Sequence, residues 1–311
     1  MVEVVPYDNS LQDTWDAMVS RSKNGTFMFK RAFMEYHSHR FEDASLMFME
    51  GSEVLAVLPA NKAGDRLGSH DGLTYGGLLF DEKMSTPKMM EVVAALKSWA
   101  SDQGFKRLTY KASPSFYHRL PASEDLYALT TSGARLYRRD VTTILRPADH
   151  PRFAPDRRWS VNKAKKNGVE VRESDRFDLF WPIVDDVLMS RHGARPTHTL
   201  EEIELLRSRF PSNIRLFGAF LDGEMVSGGV VFETEEVCHT QYLSTGEAGR
   251  KARGLDLLVA VLIEDVYATK DWFSFGISTE DGGKVLNEGL IRYKESYGGR
   301  AALHDFYELD L

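Results

Sequence analysis

The order of elements in the second half of the chain restricts the fold more than any single residue does. Three strand-like runs, Ile214–Leu221, Met225–Glu233 and Val237–Ser244, come first. A glycine- and cation-rich loop follows, then a helix at Leu255–Thr269, a strand at Trp272–Ile277, a helix at Lys284–Ser296 and a strand at Ala301–Leu309. Asp222-Gly223 is a strong two-residue hairpin signal between the first two strands. The helix from Leu255 begins apolar on nearly all sides, the pattern of a helix packed deep against a sheet. Upstream, Asp175–His192 reads as helical, and Thr199–Arg209 is a helix with Thr199 and Glu202 at capping-box spacing.

The first half follows a similar plan. Val2–Tyr7 reads as a strand, and Leu11–Ser22 and Arg31–Arg40 read as helices. Ser45–Met49 and Val54–Pro59 form a hairpin across Glu50-Gly51-Ser52-Glu53, and Leu73–Phe80 reads as a third strand. An amphipathic helix, Thr86–Gln103, stops at Gly104, and strands are expected at Lys106–Ala112 and Arg135–Leu145. Pro147–Arg158 holds three prolines and little apolar pattern, so it reads as a junction. The expectation is an α/β protein with mixed sheets in two similar domains, residues 1–150 and 151–311. Element order repeats between the halves, but residues do not.

Composition narrows the functional classes. The 311 residues are 42% hydrophobic and 11% aromatic, which suits packed cores, and the net charge of −7 argues against a general nucleic-acid binder. The one cysteine, Cys238, excludes an internal disulfide and a cysteine-based metal site; in its apolar run it reads as a buried thiol. No stretch approaches the ~20 apolar residues of a membrane span. No basic segment followed by a long apolar run opens the chain, so a cytoplasmic location is expected.

Chemistry concentrates in a few segments. The loop Thr245-Gly246-Glu247-Ala248-Gly249-Arg250-Lys251-Ala252-Arg253-Gly254 places three glycines and three cations before a long helix, the makings of a phosphate cradle. Arg191–Thr199 gathers Arg191, Arg195, His192 and His198; its cations could meet a diphosphate, and either histidine could take a proton. The bland reading makes His198 a helix-entry residue. Tyr36-His37-Ser38-His39-Arg40 is a polar cluster that reads as surface helix or as part of an acceptor site. Arg157–Lys166 holds five cations in ten residues around Trp159, read as a solvated helix face. His192 and His198 are poorly spaced for a metal, and none is expected.

The helix Asn287-Glu288-Gly289-Leu290-Ile291-Arg292-Tyr293-Lys294-Glu295-Ser296-Tyr297-Gly298 resembles the one that flanks coenzyme A in the GNAT acyltransferases, Asn287 and Gly298 matching the family's asparagine and glycine. The family's pyrophosphate pattern runs Gln or Arg, two residues, Gly, one residue, Gly or Ala. Lys251, Gly254 and Asp256 fill those places here, and Asp256 departs from it. Seven residues after the asparagine the family often has a tyrosine that protonates the leaving thiolate; this chain has Lys294, with Tyr293 adjacent. Gly72-Leu73-Thr74-Tyr75-Gly76-Gly77, the basic run Arg157–Val169, Arg191–Thr199 and Phe275-Gly276-Ile277-Ser278 are similar to the FemAB-like tandem-GNAT branch, within it to the N-acyltransferases of nucleotide-linked amino sugars.

That resemblance implies two tandem GNAT-like domains, the first on the acceptor side and the second holding acyl-CoA. The reaction it implies is direct attack of an amine on the thioester, in bacterial surface polysaccharide (lipopolysaccharide or O-antigen) synthesis. It points to Tyr242, Leu243, Ser244, Gly249, Arg250, Lys251, Arg253, Gly254, Asn287 and Lys294 as donor contacts. Tyr36, His37, Tyr75, Arg191, Arg195 and Ser278 would be acceptor contacts; His198 is the first choice to take the amine's proton, Glu280 the second and a water relay the third, and Tyr293 is the remaining chemical group. Acyl-CoA and a nucleotide-sugar are the expected partners, and the chain could pair with a second copy. An aminoacyl-tRNA-dependent transferase and a non-catalytic binding module remain alternatives.

Overall fold

The computed structural model describes residues 1–311, apart from the side chains of Arg191 and His192. The chain divides into two compact units: Met1–Asp140 with Asp281–Lys284 and Leu303–Leu311, and Val141–Glu280 with Val285–Ala302. The strands Arg135–Leu145 and Arg300–Asp310 are each divided between the units.

In the first unit Glu3–Pro6, Leu46–Glu50, Glu53–Leu58 and Leu79–Phe80 form an antiparallel sheet in that order. A second strand set runs from residues 303–310 through Arg107–Lys111, Arg66–Gly68 and Asn61–Ala63 to Glu42–Asp43. The Thr86–Asp102 helix, capped by the Ser85 side chain on the Lys88 N–H, buries Met89, Val92, Val93, Leu96 and Ala100 in one core with Leu46, Phe48, Leu58 and Leu108.

The second unit carries a sheet ordered Glu170–Ser174, Ile214–Leu221, Glu224–Glu233, Val237–Thr245, Trp272–Ile277 and residues 142–145. Every neighbouring pair is antiparallel except Val237–Thr245 with Trp272–Ile277. Parallel neighbours need a crossover, and the buried helix Gly254–Val261, continued by one wide turn over Leu262–Val266, supplies it. Leu257, Leu258, Val259, Leu262 and Ile263 from that crossover join Phe217, Val231, Cys238 and Phe273 in the core.

Candidate active site

The two parallel strands do not stay paired. Val237, Cys238 and His239 lie opposite Trp272, Phe273 and Ser274, and the pairing ends there. Two local features force the ends apart. The first strand carries a bulge, since Val230 faces Tyr242 but Val231 faces Thr240, leaving Gln241 as the extra residue. In the second strand Gly276 adopts φ +76°, a left-handed conformation that glycine takes without penalty. Between the parted ends lies a cavity of about 800 Å³, lined by Thr240, Gln241, Leu243, Ser244 and Thr245 on one side and Phe275 and Ile277 on the other.

Parting the strands frees backbone groups that must find other partners. Lys294 answers for two of them. Its buried Nζ donates to the Gly276 carbonyl at 2.8 Å, the Ile277 carbonyl at 2.7 Å and Ser278 Oγ at 2.9 Å. Burial pushes its ammonium down to about 7. Asn287 caps the helix Glu288–Glu295, its Oδ1 accepting the Leu290 N–H at 2.9 Å, while its Nδ2 donates to Glu280 Oε1 at 2.8 Å. Glu280, Asn287, Leu290, Tyr293 and Lys294 therefore share the cavity wall.

The glycine loop closes one end. Glu247–Ala252 is a short helix, and Arg253, at φ +65°, links it to the Gly254–Val261 helix. Gly249, Arg250, Arg253, Leu255 and Asp256 line the cavity. A Cβ on Gly249 would lie 2.3 Å from Ser227 Oγ and 2.3 Å from the Val226 carbonyl oxygen, so glycine here lets the loop sit directly on a strand. Gly249→Ala should therefore cost about 1–3 kcal/mol through overpacking, seen as a lower urea midpoint at unchanged slope. An unchanged midpoint would mean the loop can lift off that strand freely.

Asp256, in the place where the resemblance puts glycine or alanine, is not a bare carboxylate facing the cavity. Arg157 Nη1 donates to Asp256 Oδ1, and its Nε donates to Ser296 Oγ at 3.0 Å. The guanidinium also lies 4.5 Å from the Tyr293 ring centroid and 4.9 Å from that of Tyr297. Burial raises the Tyr293 phenol to about 12, and its hydroxyl lies 3.2 Å from that of Tyr297.

The expected site residues fall into distinct groups. Leu243, Ser244, Gly249, Arg250, Arg253, Glu280, Asn287, Tyr293 and Lys294 converge on the cavity, whereas Tyr242, Lys251 and Gly254 do not line it. Lys251 is exposed and pairs with Glu247 at 2.7 Å. His198 is buried, with Nδ1 2.8 Å from the Tyr242 hydroxyl. Ser278 is buried beneath Lys294, and Arg195 is exposed. Tyr36, His37 and Tyr75 are buried in the first unit: Tyr36 stacks on His37 at 4.2 Å, and the Tyr75 hydroxyl donates to Thr26 Oγ1 at 3.3 Å. The side chain of Arg191 lies outside the described residues. Sequence reasoning missed Arg157 and Gln241. The first was hidden in a cationic run, and a bulge leaves no composition signal. No cluster suited to a metal ion occurs among the described residues, and no helix among them is long and apolar enough to cross a membrane.

Residues 156–295 match the family model described as an acetyltransferase (GNAT) domain. A search of curated proteins finds no match. Among solved structures, that of FemX is similar with a TM-score of 0.70 at 14% identity, covering 99% of this chain and 97% of that one. The C-terminal domain of a putative lysylphosphatidylglycerol synthetase from Agrobacterium fabrum gives 0.63 at 12% identity, covering 97% and 92%. A tandem GNAT protein from the clavulanic acid biosynthesis pathway gives 0.55 at 13% identity, covering 100% and 98%. The chain thus has a mixed α/β, GNAT-like fold.

Proposed function

We propose that this protein is an acyl-CoA-dependent N-acyltransferase whose acceptor is the amine of a nucleotide-linked amino sugar. The observation that carries the donor half is the cavity between two parted parallel strands, closed at one end by a cationic glycine loop. An extended pantetheine arm suits such a wedge, because its amides can hydrogen-bond to strand groups that no neighbouring strand takes up. Arg250 and Arg253 supply charge for a diphosphate at the loop. The cavity volume falls within the usual range for small-molecule sites. The acceptor half rests on the sequence resemblance over Gly72–Gly77, Arg191–Thr199 and Phe275–Ser278.

In this reading the amine nitrogen attacks the thioester carbonyl carbon, a C–N bond forms and the C–S bond breaks. Backbone N–H groups near the Gln241 bulge polarise the carbonyl oxygen. Glu280, exposed on the cavity wall, takes the proton the amine releases. Lys294, turning one N–H away from Ser278 Oγ, gives a proton to the leaving thiolate. His198 holds Tyr242, next to the bulge, through its ring nitrogen. Cys238, buried and with its thiol raised well above the ordinary range by desolvation, takes no part as a nucleophile.

A thermal-shift series tests the reading. Coenzyme A or acetyl-CoA at 100 times its dissociation constant should stabilise the fold by about 2.7 kcal/mol. Replacing Arg250 and Arg253 with alanine should remove most of that shift and leave the shift with a nucleotide-sugar in place. No response to either coenzyme A compound, with a response to an aminoacylated RNA stem, would instead select the aminoacyl-tRNA-dependent reading.

A further inference from the structure

The helix Pro155–Lys166 concentrates positive charge in a chain of net charge −7, and the proposed chemistry leaves most of that charge without a task. Trp159 on this helix is 55% exposed, an unusual position for the largest apolar side chain. Two cations lie over its ring: Lys163 Nζ is 5.0 Å from the centroid and the Arg253 guanidinium carbon 5.8 Å. Arg253 also lines the donor cavity, so the indole adjoins the loop that would hold the diphosphate. Lys163 has no carboxylate partner among the described residues.

We propose that Trp159, Lys163 and Arg253 form a platform for the adenine nucleotide end of the acyl donor. A purine stacks on an exposed indole, and the nearby cations suit a ligand that carries phosphates on both sides of its ribose. In coenzyme A those are the diphosphate and the 3′-phosphate, so Arg253 faces the first and Lys163 the second. This site deepens the acyl-CoA reading and rests on it. The same adenine chemistry occurs at the 3′ end of an RNA.

The test is calorimetric titration of the whole protein, wild type, Trp159→Ala and Lys163→Ala, with five ligands: coenzyme A, dephospho-coenzyme A, 4′-phosphopantetheine, adenosine 3′,5′-bisphosphate and an ACCA oligoribonucleotide. Trp159→Ala should raise the Kd for coenzyme A about tenfold and leave that for 4′-phosphopantetheine, which lacks the adenosine, within about twofold. Lys163→Ala should weaken coenzyme A but not dephospho-coenzyme A. Equal weakening of coenzyme A and 4′-phosphopantetheine by Trp159→Ala would make the indole a structural support and overturn the platform, as would no weakening at all. If the wild type binds no pantetheine compound yet binds the ACCA oligoribonucleotide through Trp159, the platform stands and the acyl-CoA donor falls. If it binds none of the five, both fall.

Discussion

Replacing Arg157 with methionine should cost about 3 kcal/mol of folding stability and most of the affinity for coenzyme A, and a second change, Asp256→Asn, should return much of both. The two side chains are 11% and 9% exposed. Removing one partner of a buried ion pair leaves the other charge uncompensated, a loss of about 3–5 kcal/mol. The lower end applies because Asp256 keeps weaker company: Arg253 at 3.9 Å and the Tyr297 hydroxyl at 3.4 Å. Affinity should fall for a separate reason. With Arg157 gone, a carboxylate faces the place where the donor's diphosphate would lie, and like charges repel strongly where water is scarce. Asparagine at 256 removes that charge and nearly preserves shape. Urea unfolding and coenzyme A titration of both single variants and the double variant would measure the coupling. If Arg157→Met is as stable as the wild type and binds as well, the pair is incidental.

That pair marks where sequence reading stops. The strands Val237–Thr245 and Trp272–Ile277 were legible as apolar runs, and the hairpin at Asp222-Gly223 was legible because both residues there take positive φ. Asn287 stands inside the helix expected from Lys284, whereas it caps the observed one. Charge pattern cannot tell which of several neighbouring arginines turns inward, so Arg157 stayed hidden in its run. Leu73–Phe80 reads as a strand, yet only Leu79–Phe80 pairs. Gly77 sits at φ +94°, and Lys111 binds the carbonyls of His70, Asp71 and Leu73, which holds the segment as a loop. The helix expected from Lys284 starts at Glu288, because Val285 and Leu286 pair with Glu280 and Thr279 instead. Glu124–Thr131 is a helix outside the expected elements. These differences come from long-range partners, which override local propensity. The cavity itself belongs to the same class, since it exists only because two strands that begin paired then separate.

Lys294→Met should lower turnover by roughly 10²–10⁴-fold, the usual worth of a positioned proton donor, and abolish the alkaline limb of the pH profile. An ammonium held at about 7 is acid enough to protonate a thiolate, whose parent thiol has an ordinary pKa near 8.5. Activity of the wild type should therefore fall as pH rises through about 7, because the donor loses its proton. Stability should move the opposite way. The folded-state value lies below the ordinary 10.5, so between about pH 7 and 10.5 the unfolded chain binds more protons. Over that window wild-type stability should rise with pH relative to the methionine variant, and below about pH 7 the burden of burying the charge is fully present. The three oxygens around Nζ face the charged form and temper that burden. A pH–kcat profile together with unfolding at pH 7 and pH 9 would read both effects. A methionine variant that turns over slowly but keeps the alkaline limb would make Lys294 a strut for the parted strand, with the proton coming from elsewhere.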